Sequence, residues 1–147
     1  MIDKYESLRL DNQLCFPLYA VSKEIIKKYR PYLDKFGLTY TQYITLMVIW
    51  EHGKMNVKTL GAELFLDSGT LTPVLKSLES SGYIKRERDK KDERILTVSL
   101  TSRGEDLKDA LSNVPKAVAS KMGLDKTEAL ELYKLLYKVL LNLSEEE

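Results

Sequence analysis

At 147 residues the chain is long enough for one compact domain with a real core and too short for a separate effector domain, so any signal has to be read inside the same unit. Its 23 Lys and Arg against 22 Asp and Glu exclude nucleic-acid binding through bulk charge and leave only local clusters to supply it. The N-terminal stretch MIDKYESLRLD is charged, and no apolar run approaches membrane-spanning length, so the expected location is cytoplasmic, with no membrane partner.

In chain order, a first helix is predicted over residues 12–32. Asp11 or Asn12 is its candidate N-cap, and Leu18, Val21, Ile25, Ile26 and Tyr29 recur near helical spacing. Pro31 and Gly37 mark its end and the loop that follows. A second helix starts at Thr39, where Gln42 completes a capping box, and stops at Gly53. Ile44, Leu46, Met47, Val48, Ile49 and Trp50 make it apolar nearly all round, which predicts a central core helix. Trp50 reads as packing, and His52, the single histidine, has no partners at metal-ligand spacing, so no metal or cofactor is expected.

A short amphipathic helix follows on Val57, Leu60 and Leu64. Asp67, Ser68 and Gly69 then supply turn and cap chemistry for a helix over 68–81, with Leu71, Leu75 and Leu78 inward and Gly82 as the stop. Pro73 lies too near the start to remove much helical hydrogen bonding. Residues 83–88 and 95–100 read as strands, Ile95, Val98 and Leu100 among their apolar positions, joined by the loop DKKDER. Helix, turn, helix and hairpin together are the layout of a winged helix-turn-helix. The fold class is therefore mainly α with a small β-hairpin wing, flanked by N- and C-terminal dimerisation helices. Residues 1–36 and 104–147 form the dimerisation part of a single domain spanning 1–147, and 37–103 the winged part.

Beyond the wing, a helix runs from about Thr101 towards Met122, with Pro115 as a kink or break. The last helix, over 125–143, carries Leu130, Leu132, Tyr133, Leu135, Leu136, Tyr137, Val139, Leu140, Leu141 and Leu143. That surface is too wide for one buried stripe, and a symmetric second copy is the simplest cover. Such a homodimer would set two recognition helices about one DNA turn apart, roughly 34–36 Å, and so predicts a near-palindromic operator. The acidic residues 145–147 read as a solvated tail.

The outer face of the 68–81 helix is short and polar: Ser68, Thr70, Thr72, Lys76, Ser77 and Ser80 can approach phosphates, base edges or thymine methyls of double-stranded DNA. A solvated face would look the same. The wing beside it, however, holds six basic and four acidic residues between Lys85 and Arg94, a second basic footprint. Lys90 and Lys91 stand at its tip, while Arg86 and Arg88 read equally as phosphate contacts or as ordinary strand-surface charges.

The stretch DSGTLTPVLKSLESSGYIKRERDKKDERILTVSLTSRG resembles the recognition helix and wing of the MarR family of bacterial transcription regulators, including the D-x-R pair Asp92 and Arg94 and the LT-x-x-G at 100–104. The resemblance implies DNA contacts from Ser68 through Ser77, Pro73 included, in a major groove, and from Arg94 in an adjacent minor groove. Asp92 is expected to hold Arg94 by a charge-assisted pair, since a carboxylate near phosphate is repelled.

Cys15 is the single cysteine, and a lone cysteine is often an inert small hydrophobe. It lies within about one turn of the first helix's start, where unpaired N–H groups and the helix dipole favour negative charge. Six of the nine tyrosines, Tyr5, Tyr19, Tyr29, Tyr32, Tyr40 and Tyr43, fall in the first 43 residues, and phenols can donate to a thiolate while walling off an apolar pocket. LDNQLCFPLYA with KKYRPYLDKFGLTYTQY is similar to the organic hydroperoxide resistance repressor branch of the same family. The resemblance implies that Cys15 is the redox sensor, with Tyr29 and Tyr40 as hydrogen-bonding partners and Tyr19 as a third, some of them from the partner subunit. Pro17 departs from that branch, and no resolving cysteine is present, so the chain resembles the one-cysteine type.

The implied function is a non-enzymatic homodimeric repressor that releases DNA when an organic hydroperoxide oxidises Cys15, the product then being capped by a small cellular thiol or oxidised further. One alternative is a repressor relieved by an aromatic small molecule, with Cys15 structural. Two others are a thiol peroxidase, which lacks a second cysteine or a nearby basic residue, and a winged-helix adaptor that binds no DNA, against which the basic wing argues.

Overall fold

The computed structural model describes residues 3–145. The first two residues of the charged N-terminal stretch, and residues 146 and 147 of the acidic tail, lie outside the described residues. The chain divides into two compact units, one ending at Val114 and the other beginning at Pro115.

Two short 3-10 turns, Glu6–Leu8 and Leu10–Asn12, precede the first helix, α1, Cys15–Leu33. Neither Asp11 nor Asn12 caps it, as the sequence had suggested. Both lie in the second turn, where the Asn12 amide donates to the Glu6 carbonyl at 2.8 Å, and Leu14, helical and without a side-chain cap bond, occupies the N-cap position instead. Pro17 sits in the first turn, where its missing N–H leaves no helical bond unmade. Pro31 lies inside the helix, two residues before its end at Leu33. Only Leu33 of α1 is buried; of the expected stripe, Leu18 and Val21 are exposed and Ile25, Ile26 and Tyr29 are half-buried.

The second helix, α2 (Tyr40–His52), begins as its capping box predicts and ends at Gly53. Tyr43, Thr45, Leu46 and Ile49 are buried, and Met47 alone among its large apolar residues is exposed. The strand β1 (Met55–Asn56) follows, then α3 (Val57–Leu64), capped by Asn56, and α4 (Ser68–Ser80), capped by Asp67. Leu71, Leu75 and Leu78 are each 1% exposed. At roughly 1.5–3 kcal/mol for each fully buried leucine, they hold α4 firmly on the core.

The wing strands are β2 (Ile84–Arg88) and β3 (Leu96–Leu100). β3 is central, pairing antiparallel with β2 (Ile84 opposite Leu100) and with β1 (Met55 opposite Val98). The two-residue β1 is absent from the sequence reading because so short a segment has no periodicity. Helix α5 (Ser102–Leu111), capped by Thr101, packs so closely on the start of the wing that a Cβ at Gly104 would stand 2.1 Å from the Tyr83 carbonyl oxygen. The Trp50 indole N–H donates to the Gly104 carbonyl at 2.9 Å, so Trp50 anchors as well as packs.

The helix expected over 101–122 is broken before Pro115. A short α6 (Val114–Ala119) starts at the preceding residue, which puts the proline in a first turn where it is tolerated. In the second unit the last helix is α7 (Lys126–Glu145), opened by a reciprocal bond pair between Asp125 and Glu128. None of its residues is buried. Leu130, Leu132, Tyr133, Leu135, Leu136, Tyr137, Val139, Leu141 and Leu143 are 41–61% exposed, so the wide apolar surface read from the sequence is open. No helix among the described residues is long and apolar enough to cross a membrane.

Candidate nucleic-acid interface and sensor site

Asp67 starts α4 by accepting the Thr70 N–H at 2.7 Å, and that bond holds its carboxyl below the usual carboxylate range. Ser68, Thr70, Pro73, Lys76 and Ser77 are exposed along α4. Thr72 is half-buried, and its hydroxyl donates to the Ser68 carbonyl at 2.7 Å, so its donor is engaged by its own helix. Ser77 accepts a 2.8 Å bond from the Gln42 side-chain amide, a contact between α4 and α2 that no sequence spacing announces.

Asp89 organises the turn of the wing: its carboxylate accepts the N–H groups of Lys91 at 2.7 Å and Asp92 at 3.0 Å. Lys90 and Lys91 are exposed at the turn. Asp92 grips Arg94 through two 3.0 Å bonds, to Nε and Nη2, and Arg94 lowers the Asp92 carboxyl in turn. The Arg94 side chain is 91% exposed, so the pair aims the guanidinium without burying it. The Arg88 guanidinium donates to the Glu93 carbonyl at 2.9 Å across the turn.

Arg86, read from the sequence equally as a phosphate contact or a strand-surface charge, is paired with Glu79. Its guanidinium makes bonds of 3.2 and 3.0 Å to one oxygen of Glu79, and its N–H a 2.8 Å bond to the other. Only 20% of its side chain is exposed. Arg86 thus clamps the wing to the end of α4, using two of its five guanidinium N–H groups on Glu79. Glu79 was missed from the sequence because its partner lies seven residues away on another element. Between α3, the start of α4 and the wing lies a cavity of about 380 Å³ lined by Val57, Leu66, Leu71, Ile95 and Leu96, with Lys58 and Arg94 also in its wall.

Cys15 is the first residue of α1 and is exposed. Tyr19, four residues on and so about one helical turn away, is 62% exposed, with the Lys23 amine 5.0 Å from its ring centroid. Tyr29 and Tyr40 come together at 4.9 Å between ring centroids, with Tyr43 at 5.6 and 6.2 Å from them. Tyr43 was visible only as one of many tyrosines; it is 2% exposed and continues edge-on to Trp50. Burial raises the phenol pKa of Tyr29 and Tyr40, and pushes that of Tyr43 up to about 12, so the three are neutral hydrogen-bond donors at physiological pH.

Cys15 and Tyr29 stand on one continuous helix, fourteen residues apart. At 1.5 Å per residue that is about 21 Å along the axis. The cysteine therefore cannot reach the tyrosine pair of its own chain, and it is exposed while Tyr29 and Tyr40 are half-buried.

A family model described as transcriptional regulator SarA/Rot matches residues 27–111, more than half of the chain and all of the winged part. The chain is 53% identical, over 86% of its length and 87% of the relative's, to the HTH-type transcriptional regulator SarZ of Staphylococcus saprophyticus. It is 45% identical, over 92% of its length and 90% of the relative's, to the organic hydroperoxide resistance transcriptional regulator of Bacillus subtilis. Among solved structures it is similar to reduced AbfR bound to DNA, with a TM-score of 0.78 and 39% identity over 95% of this chain and 97% of that one. With this much of its length matched to regulators, the chain belongs to the SarA/Rot family of MarR-like winged-helix transcriptional regulators.

Proposed function

We propose that this regulator is a cytoplasmic homodimeric repressor that holds a near-palindromic operator while Cys15 is reduced and releases it when an organic hydroperoxide oxidises Cys15. The observation that carries the reading is the division of the sensor site. Cys15 is exposed at one end of α1, and Tyr29, about 21 Å along that helix, is gathered with Tyr40 of α2, so a two-fold partner can bring one chain's thiolate to the other's Tyr29 and Tyr40. The Bacillus subtilis relative's name, organic hydroperoxide resistance regulator, supports the signal, and AbfR bound to DNA supports the target.

In the proposed reaction the Cys15 sulfur attacks the terminal peroxide oxygen. The O–O bond breaks, the alkoxide leaves as the alcohol on taking up a proton, and the sulfur, oxidised by two electrons, becomes a sulfenic acid. A small cellular thiol then condenses with it, releasing water and leaving a mixed disulfide, or more peroxide oxidises it further. A charge-assisted bond to a thiolate contributes about 1.5–3 kcal/mol, so losing two weakens the reduced arrangement by several kcal/mol. That is comparable with the roughly 4–10 kcal/mol separating specific from non-specific DNA binding.

On the DNA side, Ser68, Thr70, Pro73, Lys76 and Ser77 of α4 would enter a major groove and Arg94 a minor groove, with Lys90 and Lys91 on phosphates. The test is anisotropy on a duplex from the DNA upstream of the protein's own gene, before and after one equivalent of cumene hydroperoxide. Wild type is expected to bind and then release, reversibly by a thiol reductant; Cys15→Ser is expected to bind and stay. Peroxide-driven release of the serine variant would sink the redox reading. The cavity beside Arg94 favours a second reading, a repressor relieved by an aromatic acid, which would release wild type and Cys15→Ser equally.

A further inference from the structure

Gln42 is 8% exposed, and both ends of its amide are used in different ways. Its Oε1 accepts the Thr39 N–H at 2.9 Å, while its own backbone N–H donates to Thr39 Oγ1 at 3.2 Å, which closes the first turn of α2. That turn carries Tyr40 and leads into Tyr43. Its Nε2, left over from the capping box, donates 2.8 Å to Ser77 Oγ on the recognition helix, 35 residues along the chain. An amide nitrogen can only donate, so the serine oxygen must accept, and its own O–H is left free to point elsewhere. Ser77 is exposed, and shares a helical stripe with Thr70, seven residues earlier.

We infer that Gln42 is a positioning residue: it presents Ser77 as a hydrogen-bond donor to an acceptor on DNA, a phosphate oxygen or a base-edge N7, O6 or O4, and ties that presentation to the tyrosine-bearing turn of α2. The inference rests on the repressor reading above and adds to it the polarity of one contact and the buried residue that sets it. The geometry makes a sharp substitution available. Glu in place of Gln42 keeps the size and the capping-box acceptor, but removes the N–H donor. A carboxylate oxygen facing Ser77 turns the bond around, draws the serine proton inward and withdraws it from the DNA.

The experiment is a double-mutant cycle, with reduced wild type, Gln42→Glu, Ser77→Ala and the combined variant titrated against the same upstream duplex, and thermal unfolding run on each. One net hydrogen bond corresponds to a loss of about 3- to 10-fold for each single variant. The combined variant is expected to bind no more weakly than the weaker single, because both changes remove one and the same donor. Unfolding midpoints of the singles are expected within a few degrees of wild type. Gln42→Glu binding as tightly as a tightly binding wild type overturns this inference alone. So do losses that multiply in the combined variant, the signature of plain repulsion between a carboxylate and phosphates. Wild type that fails to bind the duplex overturns the repressor reading and this inference with it. Independently of DNA, the side-chain amide resonance of Gln42 is expected to shift in Ser77→Ala; an unmoved resonance overturns the contact.

Discussion

The winged part of the chain completes its contacts within one molecule, whereas the helices at the two ends leave theirs open. Between α3 and β3, Leu60, Leu71, Leu75, Leu78 and Val98 are at most 1% exposed, and Arg86 and Arg94 of the wing find partners in Glu79 and Asp92. In α1 only Leu33 is buried, and in α7 no residue is. The difference separates two kinds of incompleteness. The winged part is a finished surface; the end helices are unfinished apolar faces, and the proposed sensor residues Cys15 and Tyr29 stand at positions that one chain cannot bring together.

The sharpest break of that contrast lies in α7. Leu132→Glu with Leu136→Glu places two charges one turn apart on an exposed apolar surface, and light scattering is expected to find monomers that retain their helix content. Operator affinity is expected to fall about 100-fold or more as the two-site advantage disappears. A variant that stays dimeric would mean that α7 is not the interface. The split sensor gives an all-or-none test: Cys15→Ser subunits mixed with Tyr29→Phe/Tyr40→Phe subunits form heterodimers with one intact trans site. Peroxide labelling of the remaining cysteine with a sulfenic-acid probe is expected at the wild-type rate in the isolated heterodimer, and more slowly in the Tyr29→Phe/Tyr40→Phe homodimer. Equal rates in the two would remove the tyrosines from the site.

Within the finished part, Gly104→Ala should cost about 1–3 kcal/mol or more, since its methyl meets the Tyr83 carbonyl, backbone that cannot swing aside. Calorimetry checks this, and an unchanged midpoint would show that the contact relaxes freely. The smallest effect concerns the clamp. Bonds from Arg86 hold the Glu79 carboxyl below its ordinary value, so its contribution is present above about pH 4.5 and is lost as pH falls through the depressed folded-state value. Glu79→Gln should lower stability by less than about 1 kcal/mol at neutral pH and flatten part of the acid limb of the unfolding profile. An identical acid limb in wild type and variant would leave the clamp without a measurable role.

Local chemistry made much of this architecture readable. Thr39 with Gln42, Asp67 before Ser68, and Thr101 before α5 announce helix starts because a cap is decided by a few neighbouring residues. Leu71, Leu75 and Leu78 announce the buried face of α4 through period alone. Asp92 and Arg94 are two residues apart, close enough for their pairing to be foreseen. The misreadings share the opposite property. Asn12 looked like a cap until a carbonyl six residues back claimed its amide, and the partner of Arg86 stayed unread because Glu79 stands on another element.

The sequence by itself therefore determined the starts of α2, α4 and α5 and the inward stripe of α4, because helical period, caps and turns depend on interactions a few residues long. Only the tertiary structure decided which side chains meet. The 2.8 Å bond from Gln42 to Ser77, the clamp on Arg86 and the gathering of Tyr29, Tyr40 and Tyr43 each join distant segments. Hydrogen bonds and ring contacts act over a few ångströms of space whatever the distance along the chain, so the packed core, and not the spacing of residues, selects them.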